Sequence, residues 1–240
     1  ISAARNIALK NICGNYLIFV DSDDILPDNT IETLMNLAEE KNADIVEGQY
    51  KSFISDDEID IHKHERFQSS NLTKLNGYAW GKIISSEKLL NLAFPKGYEY
   101  EDTIISTLLI PSCKKIYVTN DVTYYYRKNE QGITSALYNR KSSIDTLYIT
   151  LYCFAEALNR NYKISVEDYL KQVRLNWIRT KNMPHDVRKA IFIVEVDFFE
   201  KNYKIDKTIK KSNLLKLQKT LQKHSYLGFK WIMNYWEILG

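Results

Sequence analysis

Apolar residues follow two different spacings along this chain, and the spacing changes near residue 140. Upstream, short apolar runs within residues 17–20 and 43–50 alternate with helical spacing, as at Ile31, Leu34 and Ala38. Strands that alternate with helices predict an α/β fold. Downstream, helical spacing prevails, which predicts an α-helical appendage. We therefore predict two parts, residues 1–139 and residues 140–240.

Three apolar stripes indicate the helices of the second part. They consist of Ile144, Leu147, Tyr148 and Leu151, then Tyr169, Val173 and Trp177, and finally Ile193, Val196 and Phe199. Residues three and four positions apart lie on one face of a helix. Each stripe is therefore expected to face the core of the appendage.

The apolar run at residues 17–20 is followed at once by Asp21, Ser22, Asp23 and Asp24. Four consecutive apolar residues are typical of a strand buried on both faces in the middle of a parallel sheet. Ligands bind such sheets at the carboxyl ends of their strands. Carboxylates spaced as in Asp-x-Asp can share one divalent cation, whose other positions are taken by water and substrate phosphates. This motif predicts a Mn²⁺ or Mg²⁺ site at Asp21 and Asp23, although an acidic turn or helix cap has the same composition.

A segment of small residues, Ala3 and Ala4 followed by Arg5 and Asn6, precedes this motif. About ten residues of helical pattern, a turn at Gly14 and the apolar strand separate the two. Together these features resemble the family 2 glycosyltransferases with a GT-A fold. Since a GT-A domain normally begins with two further βαβ crossovers, on the order of 80 residues, we expect this chain to be the carboxyl-terminal part of a longer protein.

The resemblance implies a Rossmann-like, mostly parallel sheet and an inverting, metal-dependent hexosyl- or N-acetylhexosaminyltransferase. The donor would be a nucleoside-diphosphate-sugar, such as a UDP-sugar, and the acceptor a hydroxyl of a growing cell-surface glycan or a lipid-linked glycan. Arg5 and the residues of the acidic motif, Asp21, Ser22, Asp23 and Asp24, would contact the nucleotide sugar.

A second stretch with the family's pattern runs from Tyr78, through Trp80 and Lys82, to Glu101 and Asp102. An inverting transferase needs one carboxylate to take the proton from the acceptor hydroxyl. By the resemblance, Asp102 is that base, and Glu101 supports it or touches the acceptor. The alternative is that both acids cap a helix over residues 103–109. Trp80 is a candidate for stacking on the sugar or base, or else a core residue, and Lys82 is expected near phosphate or in solvent.

Two strand-like runs, residues 115–118 and 123–127, are predicted to be joined by a turn at Asn120 and Asp121. They end in Arg127, followed by Gly132, Ile133, Thr134 and Ser135. These segments resemble a region of the family that forms a loop closing over the diphosphate. Arg127 would then donate to phosphate oxygens, unless it is an ordinary surface arginine.

Two other classes of protein remain open at this point. A phosphatase of the haloacid dehalogenase type also places Asp-x-Asp after an apolar strand, with Asp21 as nucleophile and Asp23 as acid/base. Glu101 and Asp102 could imitate its magnesium-binding pair, but the small-residue segment with Arg5 has no place in that fold. A non-catalytic module that binds a nucleotide or a glycan is the third possibility.

The cysteines indicate the compartment. Cys13, Cys113 and Cys153 are far apart and odd in number, so they predict neither a disulfide framework nor a zinc site. They are typical of a protein in a reducing compartment, and no apolar run is long enough to cross a bilayer. We therefore predict a cytoplasmic location.

The end of the chain is basic, although the net charge of the whole is only +3. Residues 201–240 contain nine Lys against one Asp and one Glu. Lysines beside Trp231, Tyr235 and Trp236 are typical of helices at a membrane surface. Residues 207–240 are therefore predicted to attach peripherally to the inner face of the cell membrane, or else to pack on the domain or a second subunit. No nucleic acid is expected as a partner, because no recognisable binding module accompanies the lysines.

Overall fold

The computed structural model of the chain describes residues 1–67, 75–129 and 141–238. The chain forms two compact units, one made of Ile1–Gly97 with Glu101–Ser135 and one made of Tyr98–Tyr100 with Ala136–Gly240. The boundary predicted at residue 139 falls outside the described residues.

The first unit alternates helices and strands, as the apolar spacing predicts. Its elements are α1 (Ser2–Lys10), β1 (Tyr16–Ile18), α2 (Thr30–Lys41), β2 (Ile45–Phe53), β3 (Lys82–Ser85), α3 (Ser86–Leu89), a π-helical turn (Ile105–Leu109) that continues into α4 (Ile110–Ser112), and β4 (Ile116–Arg127). The long polar stretch between β2 and β3 contains a 3₁₀ turn, Asp56–Glu58.

The four strands form one sheet in the order β1-β3-β2-β4. β1 and β2 both pair antiparallel with β3, and β2 pairs parallel with β4. The sheet is therefore mixed, and the prediction of a mostly parallel sheet is wrong for the described residues. β1 lies at the edge of the described sheet and is half-buried. Val20, beyond its end, is 44% exposed.

β4 is one continuous strand of twelve residues, not two strands joined by a turn. Its register against β2 shifts on either side of Gln49, and these irregularities keep Asn120 and Asp121 within the strand. The two strands approach closely beside Gly48, where a Cβ atom would overlap the side chain of Thr123. A glycine is therefore needed at this point for the backbones to pair.

α2 contains the helical spacing of Ile31, Leu34 and Ala38 that the sequence shows. Asn42 follows its last turn in the left-handed conformation, with φ of 46°, which asparagine tolerates better than most residues. The side chain of Asn29, just before the helix, donates to Oγ1 of Thr33 (3.3 Å) and not to the helix backbone. Helix α3 begins at Ser86 and ends at Leu89.

The second unit is helical, as predicted. Its elements are a 3₁₀ turn (Lys141–Ile144), α5 (Asp145–Asn159), α6 (Val166–Arg179), α7 (His185–Asn202), α8 (Ser212–Gln222) and α9 (Tyr226–Ile238). Their shared core includes Phe154, Tyr169, Val173, Phe192, Leu217 and Phe229. Among the residues described, no helix is both long enough and apolar enough to cross a membrane.

The three predicted stripes have different outcomes. Tyr169, Val173 and Trp177 are all buried, as expected. The first stripe is wrong, because Tyr148 is 47% exposed and α5 buries Ile149 and Phe154 on another face. Apolar residues lie on more than one face of α5, so spacing alone does not identify its buried face. In the third stripe Val196 and Phe199 are buried but Ile193 is exposed.

Candidate functional site

Arg5 joins three carboxylates from distant parts of the first unit. It lies inside α1 and is 7% exposed. Its Nη2 donates to Oδ1 of Asp21 (3.1 Å), and its Nη1 donates to Oε1 of Glu101 (3.1 Å) and to Oδ1 of Asp102. The guanidinium carbon lies 5.2 Å from the ring centroid of Phe94. Arg5 therefore brings the acidic motif and the predicted base together, and its guanidinium is already occupied by protein carboxylates.

Burial and the charge of Arg5 shift the pKa of Asp102 and Glu101 in opposite directions. Burial is the largest effect and raises the pKa of both carboxyls, while Arg5 lowers them. Asp21 adds a second negative charge that raises the pKa of Asp102. The side chain of Asp102 is still 29% exposed, so solvent or a substrate can reach it. A reachable carboxylate with a raised pKa is suited to accept a proton.

The helix-capping alternative holds only for the backbone of these two acids. The N–H groups of Ile104 and Ile105 donate to the carbonyl oxygens of Glu101 (3.3 Å) and Asp102 (2.8 Å). Their carboxylates instead face Arg5. The side chains are therefore available for chemistry while the backbone starts the helical turn.

Within the acidic motif, Asp24 is fixed to β4. The hydroxyl of Tyr124 donates to its Oδ2 (2.7 Å), and the backbone N–H of Arg127 donates to its Oδ1 (2.8 Å). Burial raises the pKa of Asp24. The backbone N–H of Asp21 donates in turn to the Tyr124 hydroxyl (3.1 Å). Asp24 thus positions the turn, whereas Ser22 and Asp23 are exposed.

The donor set at this turn fits a hard divalent cation held partly by substrate. Among the described residues, no group of three or more His, Cys, Asp or Glu side chains could hold a metal ion. Mg²⁺ and similar ions are commonly bound through one or two carboxylates plus substrate phosphates and water. The exposed carboxylate of Asp23 and the second carboxylate oxygen of Asp21 suit that arrangement, so the metal site stays a prediction with compatible ligands.

Arg127 lies beside the acidic motif. Its Nε donates to the carbonyl oxygen of Asp23 (2.8 Å), and its Nη2 donates to the exposed Asp56 (2.7 Å). Its guanidinium stacks over Phe53, 4.4 Å from the ring centroid. It is therefore not an unattached surface arginine, and its contact with phosphate stays a prediction. The following segment, Gly132 to Ser135, lies outside the described residues.

Trp80 and Lys82 are both core residues in this structure. Trp80 is 6% exposed, and its indole stacks on Tyr78 and Tyr124 at centroid distances of 4.7 and 4.5 Å. Its burial favours packing over the predicted stacking on a sugar or base. The expectation for Lys82 is wrong, because it is fully buried and pairs with Glu47 (Nζ to Oε2, 3.1 Å).

Two further residues, Asn6 and Tyr124, support the site through partners that the sequence pattern does not reveal. Asn6 is fixed in both directions to the backbone of Phe94, with distances of 2.7 and 2.8 Å, so its amide already has partners within the protein. Tyr124 orders the acidic turn, as described above. The Tyr-Tyr-Tyr-Arg run is the feature of the sequence that could have indicated this role. Because residues alternate sides along a strand, the first and third tyrosines face one side and the second faces the other.

Comparison with known proteins finds similarity to glycosyltransferases. The family model described as Glycosyl transferase family 2 matches residues 1–95. The chain is 31% identical over 147 residues to Glycosyltransferase GlyA of Streptococcus pneumoniae, covering 53% of this chain and 21% of that protein. It is 24% identical over 163 residues to the poly(ribitol-phosphate) beta-N-acetylglucosaminyltransferase TarP of Staphylococcus aureus, covering 62% of this chain and 48% of TarP. The chain thus spans between about a fifth and a half of these two relatives.

A solved structure shows the same fold. The crystal structure of S. aureus TarS 1-349 in complex with UDP-GlcNAc matches with a TM-score of 0.74 and 16% identity, covering 99% of this chain and 72% of that one. At this identity the likeness establishes the fold alone. Residues 1–95 therefore match the model of glycosyl transferase family 2, and the chain has the GT-A fold followed by a helical appendage.

Proposed function

We propose that the protein containing this chain is an inverting glycosyltransferase that moves a sugar from a UDP-sugar to a hydroxyl group of a cell-surface glycan. The observation that carries the proposal is the ion-pair cluster of Arg5 with Asp21, Glu101 and Asp102. In this cluster Asp102, a carboxylate suited to be a base, lies beside the acidic turn at Asp21. That turn is suited to bind a diphosphate and its cation.

The charge balance of this cluster favours proton uptake. Three carboxylates face one guanidinium, so two negative charges are not neutralised within the cluster. Like charges close together favour protonation of one of them. Arg5 nevertheless keeps Asp102 more ionised than burial alone would. Asp102 can therefore be a carboxylate before the reaction and a carboxylic acid after it.

The reaction then follows in one displacement. The acceptor oxygen forms a bond to the anomeric carbon, and the bond from that carbon to the diphosphate breaks. Asp102 takes the proton of the acceptor hydroxyl, and UDP leaves with the electron pair. A Mn²⁺ or Mg²⁺ ion held by Asp23 and Asp21 would supply charge neutralisation for the leaving diphosphate. Glu101 holds Arg5 in place beside the base.

The relatives support the choice of donor and acceptor. TarS is solved with UDP-GlcNAc, and TarP is a poly(ribitol-phosphate) beta-N-acetylglucosaminyltransferase. UDP-GlcNAc and a polyol-phosphate polymer are therefore the first pair to test. The phosphatase alternative lacks support, because the fold and the family match are those of glycosyltransferases.

A donor screen tests the proposal. The complete protein would be incubated with Mn²⁺ and each common UDP-sugar, with and without poly(ribitol phosphate), while UDP release and label transfer to polymer are measured. We expect one donor to give acceptor-dependent UDP release that EDTA abolishes. Tight UDP binding with no turnover of any donor would identify a non-catalytic module. Phosphate release from a simple phosphomonoester, lost in Asp21→Asn, would identify a phosphatase.

A further inference from the structure

Helix α9 presents an apolar row to solvent. Leu227, Trp231 and Tyr235 are four residues apart, and they are 81%, 61% and 41% exposed. The rings of Trp231 and Tyr235 stack on each other, with centroids 5.5 Å apart and an interplanar angle of 10°. The opposite side of the helix is buried in the core through Phe229 and Met233. Within the part of the chain that the structure describes, one apolar face of α9 therefore packs in the core and the other is open to solvent.

A row of lysines lies next to these aromatic rings. Lys216 and Lys219 lie on one face of α8, and Lys223, the residue after its end, continues that face; all three are exposed, whereas Leu217 and Leu221 on the other face are buried. The Nζ atom of Lys216 lies 5.8 Å from the ring centroid of Tyr235, which places this row beside that of α9. Lys230, next to Trp231 in the sequence, is also exposed. We call these four lysines with Leu227, Trp231 and Tyr235 the α8–α9 face.

We propose that the α8–α9 face binds the surface of an anionic lipid bilayer. Tryptophan and tyrosine side chains are favoured at the headgroup level of a membrane, and lysines are attracted to anionic headgroups. The face offers both groups side by side, and no described acidic residue forms an ion pair with any of its four lysines. A second copy of the chain is a poorer occupant, because a symmetric contact would bring two lysine rows together.

This inference is independent of the proposed catalytic function. The attachment would be peripheral and reversible, since one amphipathic face with three apolar side chains inserts shallowly. It would also be sensitive to salt, because attraction to a charged surface is screened over about 8 Å at physiological ionic strength.

Point variants test this proposal better than deletion of residues 207–240. That deletion would remove Leu214, Leu217 and Leu221 from the core and unfold the second unit. The α8–α9 variants are L227A/W231A and K216Q/K219Q/K223Q, all at exposed positions. The matched control is K163Q/K189Q/K204Q, which removes three exposed lysines elsewhere in the same unit.

The complete protein and each variant would be sedimented with vesicles of phosphatidylcholine, with and without phosphatidylglycerol. We expect binding only to the anionic vesicles, release by salt, and a loss of about tenfold or more in each α8–α9 variant. The control variant should bind like the wild type. Quenching of fluorescence by brominated lipid should be seen in the wild type and be lost in W231F.

Three results would overturn the proposal. Equal binding to neutral and anionic vesicles would show that the lysines do not attract the protein to the bilayer. An equal loss of binding in the control variant and the α8–α9 lysine variant would show that net charge alone matters. If the protein ignores vesicles and instead forms a dimer that L227A/W231A abolishes in sedimentation velocity, the face is a contact between copies of this chain.

Discussion

Arg5 and Asp102 are 97 residues apart in the sequence, and Nη1 of Arg5 donates a hydrogen bond to Oδ1 of Asp102. The same nitrogen also donates to Glu101, while Nη2 reaches Asp21. The planar guanidinium can serve three acceptors at once because its N–H donors point in different directions. A lysine at this position would supply the charge without that geometry.

Removal of Arg5 should shift the pH dependence of the reaction. Burial raises the pKa of Asp102 and Arg5 lowers it, so in Arg5→Ala the pKa rises further. A general base must be ionised, and the acidic limb of kcat/KM should therefore move to higher pH. Arg5→Lys, as the matched control, should shift it less. An acidic limb that stays in place in Arg5→Ala would show that Asp102 is not the titrating base.

Asp23→Ala should weaken the metal-dependent binding of UDP without unfolding the protein. The side chain of Asp23 is exposed, so its loss leaves the core intact. If it holds the cation, the affinity should fall by more than about 1 kcal/mol, which is the upper range for an exposed ion pair. Calorimetry with UDP and Mn²⁺ measures this directly. Asp28→Ala, which removes another exposed carboxylate nearby, should bind UDP normally, and equal affinities for all three proteins would exclude Asp23 as a ligand.

The buried pair of Lys82 and Glu47 predicts a stability effect that depends on which partner is lost. Burial lowers the pKa of Lys82 and raises that of Glu47, and each residue opposes the shift of the other. Lys82→Met leaves a buried carboxylate unpaired and should cost about 3–5 kcal/mol of unfolding free energy. The double variant K82M/E47L should recover much of this loss. Urea unfolding measures both, and a double variant less stable than K82M would contradict a charge effect.

Glu195 predicts a pH dependence of stability in the helical unit. It is completely buried beside Asn176, whose Nδ2 donates to it (2.9 Å), and burial raises its pKa to about 8. Between about pH 4.5 and about 8 the folded chain keeps a proton that the unfolded chain loses, so stability falls as pH rises through this range and levels off above it. Glu195→Gln should remove this slope and be more stable than the wild type at about pH 8.

Urea unfolding at several pH values tests the role of Glu195. Asp197→Asn, which changes an exposed acid on the same helix, should keep the slope of the wild type. If Glu195→Gln unfolds with the same pH dependence as the wild type, the carboxyl of Glu195 is not the group responsible.

The features predicted correctly from the sequence are those encoded by neighbouring residues. The end of α2 at Asn42 is favoured by a residue that tolerates the left-handed conformation, and the α/β character follows from apolar spacing. The position of β1 at the sheet edge depends on its pairing with β3, more than 60 residues later. No local pattern encodes that partner, so the sequence alone does not predict the antiparallel pairing of β1 with β3.

The candidate site likewise combines motifs that can be recognised in the sequence with contacts that only the fold reveals. The acidic motif and the Glu101–Asp102 pair were recognisable because their residue types and order resemble those of a known family. Their connection through Arg5 spans 97 residues and is visible only in the fold. Lys82 was misplaced for a related reason, because its partner Glu47 lies on the neighbouring strand and a lysine without a visible partner is expected in solvent.

The most direct test of the central claim is the transfer rate of Asp102→Asn in the complete protein with its preferred donor and acceptor. Asparagine keeps the size of the side chain and cannot take the proton from the acceptor hydroxyl. If Asp102 is the base of an inverting glycosyltransferase, kcat should fall by about 10²–10⁴, while the affinity for UDP with Mn²⁺ stays within a few-fold of the wild type. A variant that transfers sugar at a rate close to the wild type would contradict the proposed mechanism.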